Sequence, residues 1–371
     1  MTSWSNMLKI PKLPKLLPGK KSVKKIESKE STSSKEKEKK SNLLSYDKLP
    51  LWMQNNHYIQ KHYLPPTNSS LICFKNMFKI HNQTLTCWSQ LFAAIFFFHR
   101  FILLVLSNFD AVSDQVKTNW PNDTTYLEKF LIIICWPLSC SYFFLISTIY
   151  NSLTSHTIRY KKTWRYLVCG FIFMIGTCLV SWNYFYLDCW KILQARYLAV
   201  IVTIVFLLMF INFFSEKFSI KKKIFKKDFE FSLEESKSKL NSVLSIILVI
   251  TAILPFIHIG YMKKQEIPTW GQNFRLAEMK NMVKMVFCYG IGLLLFHKRW
   301  PESKKPGKFD LFFHSNQLFY FGVVVGALYF EKGIKSMWSR NISLLEKSID
   351  VCDFSDLSPK IELNIHNFVE S

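Results

Sequence analysis

The chain has no Cys-x-x-Cys pair among its nine cysteines, no Gly-x-Ser-x-Gly, His-Glu-x-x-His or Walker pattern, and no carboxylate between Glu128 and Asp188. The first absence argues against a zinc ribbon or disulfide framework. Most of the cysteines (Cys87, Cys135, Cys140, Cys169, Cys178, Cys288) instead lie in or beside apolar runs, as small core residues do. The missing motifs leave no nucleophile elbow, metalloprotease helix or phosphate cradle. The one glycine-rich piece, YGIGLLLF at 289–296, lacks a following Lys-Ser/Thr and reads as helix packing. The N-terminus has neither an apolar core of signal-peptide length nor a small-residue cleavage site, so insertion falls to the first internal span. Acids are also scarce, with 26 Asp and Glu against 48 Lys and Arg for a net charge of +22.

What is abundant is apolar length. The 371 residues include 34 phenylalanines, and the mean hydropathy is positive, a composition typical of membrane proteins. The lysines fall between apolar runs rather than across a folded surface, so the expected partner is the lipid bilayer and not nucleic acid. A membrane helix needs about 20 mainly apolar residues, and seven stretches serve: 86–107, 129–150, 164–186, 196–214, 240–261, 281–297 and 311–331. The sixth carries Lys284 and the seventh a polar cluster, so both need neighbours to cover polar groups.

Cationic residues concentrate in the first tail and in the loops after span two (Arg159, Lys161, Lys162), span four (KKKIFKK at 221–227) and span six (Lys298, Arg299, Lys304, Lys305, Lys308). By the positive-inside rule this places the N-terminus in the cytoplasm and the C-terminus outside. The expectation is an all-α integral membrane protein, a seven-transmembrane helix bundle. It divides into a disordered basic cytoplasmic tail (1–48), an interfacial lead-in (49–85), the bundle (86–331) and an extracytoplasmic tail (332–371). The sequons at Asn122 and Asn341 fall on the expected outer face, where glycosylation could occur. Plasma membrane and endomembrane (Golgi or ER) both suit this layout.

Three segments carry chemistry-bearing residues. They are HYLPPTNSSLICFKNMFKIHNQTLTCWSQL (62–91), CSYFFLISTIYNSLTSHTIRY (140–160) and PESKKPGKFDLFFHSNQLFYFGVV (301–324). In order and spacing they resemble the progestin and adipoQ receptor (PAQR) or haemolysin III-related membrane proteins, most closely the membrane progestin receptor-like branch, over roughly 55–340. The first resembles a Tyr-Arg-Pro-Pro-like start followed by Leu-Phe-x-x-His-Asn-Glu-x-x-Asn-x-x-Thr-His-Leu. The second resembles Ser-x-x-x-His. The third resembles Pro-Gly-Lys-Phe-Asp followed by His-Ser-His-Gln-Ile-Phe-His.

The resemblance implies a seven-helix fold and a buried zinc ion held by three histidines, one from the second segment and two from the third, with an Asp in the third span linked to ceramidase-like hydrolysis. A His-x-x-x-His pair lies on one helix face, and a three-ligand site leaves an open position where zinc activates water. This chain departs at each of those positions. The ligand positions hold Asn151, Asn316 and Tyr320, and the Asp position falls at Leu167 or Val168. The first segment has Gln83 for Glu, Thr86 for Asn, Ser89 for Thr and Gln90 for His, while Ser147 stays. Neutral amides and phenols are poor zinc ligands but suit hydrogen bonding across a bundle. The expected cofactor is therefore none, and Asn316, Tyr320 and Asn151 are expected to converge without a metal.

An alternative polar site draws on His156, His314 and Arg100. His314 precedes Asn316 by two residues and so points to roughly the opposite helix side. His156 reads as an exposed loop histidine, and Arg100, deep in span one, as a bundle-facing or snorkelling charge. Three functions stay open: a receptor-like signalling pseudoenzyme sensing a lipid or steroid and acting on a cytoplasmic partner; a zinc-dependent lipid amidase with ligands rerouted to His156 and His314; and a scaffold working through its basic cytoplasmic segments.

Overall fold

The computed structural model describes residues 43–119, 125–156, 159–188, 190–214, 243–255, 257–258 and 269–346. A short helix, α1 (Ser70–Asn76), precedes seven longer segments: α2 (Thr84–Asn119), α3 (Thr125–Ser152), α4 (Arg159–Tyr186), α5 (Lys191–Phe213), α6 (Val243–Pro255), α7 (Thr269–Lys298) and α8 (Ser315–Glu346). No strand longer than an isolated bridge occurs among the described residues. Five of these helices are long and apolar enough to cross a membrane, namely Thr84–Phe109, Tyr126–Ser152, Thr163–Tyr186, Lys191–Phe213 and Met279–Lys298. The protein is an all-helical, multi-pass integral membrane protein. Helices satisfy their own backbone, which hydrocarbon cannot do for them.

Sequential neighbours pack as α2 on α3, α3 on α4 and α4 on α5, while α8 packs along α7 and also touches α2, α3 and α4. Small residues permit the α7–α8 approach. A Cβ at Gly322 would stand 2.9 Å from the Cys288 carbonyl oxygen, and one at Gly326 would run into the Tyr289 ring. Gly292, from the glycine-rich piece, faces the Phe319 backbone in the same seam. Lys284, inside the apolar part of α7, rests its ammonium 5.3 Å from the centre of the Tyr329 ring.

Because lipid offers no hydrophobic contrast between helices, short polar bonds and close packing hold the bundle. Ser141 donates to the Ala94 carbonyl at 2.9 Å, Ser181 to the Ile132 carbonyl at 3.2 Å, and the Ser139 and Thr177 hydroxyls pair at 2.6 Å. Trp136 and Phe330 meet at a tilt in the buried centre with ring centres 4.4 Å apart.

Three boundaries differ from the hydropathy reading. Residues 43–48 do not belong to a tail: Leu44 exchanges backbone bonds with Tyr63, and Tyr46–Lys48 forms a single helical turn. The last helix starts at Ser315 rather than at 311. It also continues as helix past 331 to Glu346, with Ile334, Met337 and Trp338 buried, so the helix and its packing extend into the expected tail. Residues 1–42, the KKKIFKK loop and Asn122 lie outside the described residues. Asn341 falls within α8.

Candidate functional site

The cluster HSNQLFY is the beginning of α8, not a polar interruption inside it. Helix N-termini leave backbone N–H groups unsatisfied, and these residues supply partners. The Glu302 carboxylate accepts the Ser315 backbone N–H at 2.8 Å and also the Ser315 hydroxyl. The Gln317 side chain reaches back to accept Phe313 N–H at 2.6 Å and donates to the Leu311 carbonyl at 2.8 Å. His314, 1 % exposed, places Nε2 3.1 Å from the Asn82 carbonyl, so its ring engages the lead-in segment.

One and a half turns into α8, Tyr320 meets the ends of α2 and α3. Ser147 and Asn151, four apart on α3, share a face. The Ser147 hydroxyl donates to the Tyr320 hydroxyl at 2.9 Å; Asn151 Nδ2 donates to Gln90 Oε1 at 3.1 Å and to the Ser147 carbonyl at 2.8 Å. All four residues are buried, as are Thr86 and Cys87 beside them. Gln83, Thr86 and Gln90 recur at helical spacing, and Gln83 Oε1, Thr86 Oγ1, Gln90 Nε2 and His314 Nδ1 have no hydrogen-bond partner among the described residues.

The remaining candidates are placed elsewhere. Ser89 is exposed and bonds back to the Thr86 carbonyl at 3.1 Å. Asn316, four residues before Tyr320 on α8, is half-buried, and its side chain takes no part in the hydrogen bonds of the cluster among the described residues. His156 is not an exposed loop residue: it is buried and bridges to Thr67, because the turn after α3 is tucked under the lead-in, with Thr67 N–H on the Ser155 carbonyl at 2.9 Å. Arg100 is neither free nor merely snorkelling. Its Nε lies 2.9 Å from Glu331, which Lys335 also reaches at 2.8 Å. Leu167, at one of the two candidate Asp positions, is part of the apolar core.

The donor set does not fit a zinc ion. Asn151, Gln90, Ser147 and Tyr320 are neutral and already bonded to one another, and zinc favours thiolate, imidazole and carboxylate. Among the described residues no three His, Cys, Asp or Glu stand where they could hold a metal.

A strap of lead-in residues covers this end. Asp310 accepts the backbone N–H groups of Gln60 at 2.9 Å and Lys61 at 3.0 Å; Asn56 donates to Glu302 at 3.2 Å; Gly307, in the left-handed region at φ 79°, donates to the Tyr58 carbonyl at 3.1 Å. Burial pushes the Tyr63 phenol up and the Arg299 guanidinium down, the latter against the attraction of Glu302. At the start of α2, His81 Nδ1 lies 2.7 Å from the Thr84 hydroxyl and 2.8 Å from the Lys79 carbonyl, and burial holds its pKa below the usual imidazole range. Glu302, Asp310 and Asn56 carry much of this architecture, yet their partners lie up to 250 residues away. Their one local signal is a pair of acids inside an otherwise basic loop.

A multi-pass helical bundle whose last helix touches α2, α3, α4 and α7, with a buried polar cluster where α2, α3 and α8 meet, defines a polytopic helical membrane protein. The haemolysin-III related family model matches residues 78–330, and the chain belongs to that family, which includes the PAQR proteins. It is 25% identical over 309 residues to an adiponectin receptor protein of Drosophila melanogaster, covering 82% of this chain and 62% of that protein. It is 25% identical over 302 residues to an ADIPOR-like receptor of Saccharomyces cerevisiae (79% and 83%) and 25% over 311 residues to heptahelical transmembrane protein 1 of Arabidopsis thaliana (78% and 79%). The chain spans about three fifths of the length of the fly relative.

Proposed function

We propose that this chain is a receptor-like member of its family that works without zinc chemistry and senses the polar head of a lipid or steroid at the α2–α3–α8 junction. What supports the reading is the cluster itself, in which Ser147, Asn151, Gln90 and Tyr320 bond one another, with Asn151 and Tyr320 at two of the three positions where the resemblance implies metal ligands. The partnerless Gln83 Oε1, Thr86 Oγ1 and Gln90 Nε2 offer both donors and acceptors, which suits a hydroxyl or carbonyl head group. Two of the relatives are named as receptors, one of them for adiponectin. The basic loops support a cytoplasmic strap side, where a signalling partner would read a shift of α8.

The test is twofold on the purified full chain. A panel of radiolabelled sterols, steroids and fatty acids should give saturable binding that Gln90→Leu weakens about tenfold, the loss of one or two buried hydrogen bonds. Ceramide hydrolysis should be absent with or without chelator. Chelator-sensitive hydrolysis would establish the amidase alternative instead.

A further inference from the structure

The strap side of the molecule carries a surface that the buried cluster does not use. Between residues 49 and 83 there is no Asp or Glu, and between 298 and 314 there are two, Glu302 and Asp310. Both are buried, 0 % and 4 % exposed, and spent on Asn56, Ser315, Gln60 and Lys61. The exposed charges of these two segments are therefore of one sign, with Lys75 and Lys79 on and just after α1 and Lys304, Lys305 and Lys308 on the α7–α8 loop.

Large apolar side chains stand exposed among those lysines. Phe74, Phe78 and Ile80 are 39 %, 71 % and 69 % exposed on the α1 side; Trp300, Phe312 and Phe313 are 47 %, 53 % and 62 % exposed on the loop. The two segments lie on one side, because Gly307 bonds Tyr58 and His314 bonds Asn82. Phe78 packs edge-on against Trp88 with centres 5.4 Å apart, and Trp88 meets Phe92, which is 63 % exposed on the lipid side of α2. The apolar patch is thus continuous with the hydrocarbon-facing wall of the bundle.

We infer that α1 and the α7–α8 loop form a collar that lies in the membrane interface and binds anionic phospholipid, the aromatic and aliphatic side chains entering the acyl boundary and the lysines meeting the phosphates. Aromatic residues favour the interfacial depth, and lysines near an anionic leaflet add electrostatic attraction. Continuity with the lipid-facing wall selects lipid over an acidic protein, which would have to displace bilayer from Phe78 and Phe92.

The test uses the full chain reconstituted in bilayers with spin-labelled lipids. Phosphatidylserine should associate at least about threefold more strongly than phosphatidylcholine at low salt, and the preference should shrink in about 0.5 M salt. A variant with Lys75, Lys79, Lys304, Lys305 and Lys308 each changed to Gln should lose it. Should that variant fail to fold, the salt dependence of the unaltered chain and a Lys75→Gln/Lys79→Gln pair decide the matter, the pair reducing the preference. No preference in the unaltered chain overturns the inference. So does a preference that survives neutralisation but vanishes when residues 1–42 are deleted, and so does binding of an acidic peptide through these lysines without lipid selectivity.

Discussion

The Ser147 hydroxyl donates to the Tyr320 hydroxyl at 2.9 Å, tying α3 to α8 inside the bundle. Both groups are buried, so deleting one strands the other. Tyr320→Phe is expected to cost about 1 kcal/mol, as is Ser147→Ala, while the double variant should cost little more than either single one. Reversible unfolding in micelles checks this. Additive losses would mean that the two hydroxyls act separately.

Glu302 holds three donors at the junction of strap and α8. Glu302→Ala removes the cap of α8 and leaves Asn56 and Ser315 unpaired, for an expected loss of about 2 kcal/mol. Limited proteolysis should then cut within 49–63 faster than in the unaltered chain. An unchanged cleavage rate would separate the strap from the helix cap.

Glu331 is buried, and its two partners are about one-third exposed. Either cation alone suffices, so Arg100→Met and Lys335→Met should each cost under about 1 kcal/mol once solvent screening is allowed for. Together they leave a carboxylate buried and unpaired. The double variant should then lose about 3 kcal/mol, more than the sum, measured by the same unfolding cycle.

His81 gives a pH dependence of definite sign. Burial lowers its pKa in the folded chain, so the unfolded chain takes up a proton first as pH falls. Stability is at its full value above the unfolded imidazole range near 6.5 and declines as pH drops below it toward the lowered folded value. Melting temperatures from pH 8 to pH 5.5 should fall, and less steeply in His81→Asn.

Most of the fold was legible because bilayer thickness dictates span length. The first four spans, read at 86–107, 129–150, 164–186 and 196–214, sit within or close to Thr84–Phe109, Tyr126–Ser152, Thr163–Tyr186 and Lys191–Phe213. The seventh was misjudged at both ends for electrostatic reasons. Its first residues are polar because a helix begins there and needs capping. Glu331 reads as a span end, but Arg100 and Lys335 neutralise it and the helix continues. At the site, the i, i+4 rule pointed to Asn316 and Tyr320 sharing a helix face, and Tyr320 joins the bonded cluster while Asn316 makes no hydrogen bond there; the burial of His156 depended on a turn folded under Thr67 and Cys73, contacts more than 80 residues distant that no local pattern announces.

The zinc content of the purified full chain tests the central claim most directly. Elemental analysis after dialysis against weak chelator should find well under about one zinc per chain, and the variant Asn151→His/Asn316→His/Tyr320→His should raise it toward one, since three imidazoles supply what amide and phenol do not. About one tightly held zinc in the unaltered chain would contradict the account.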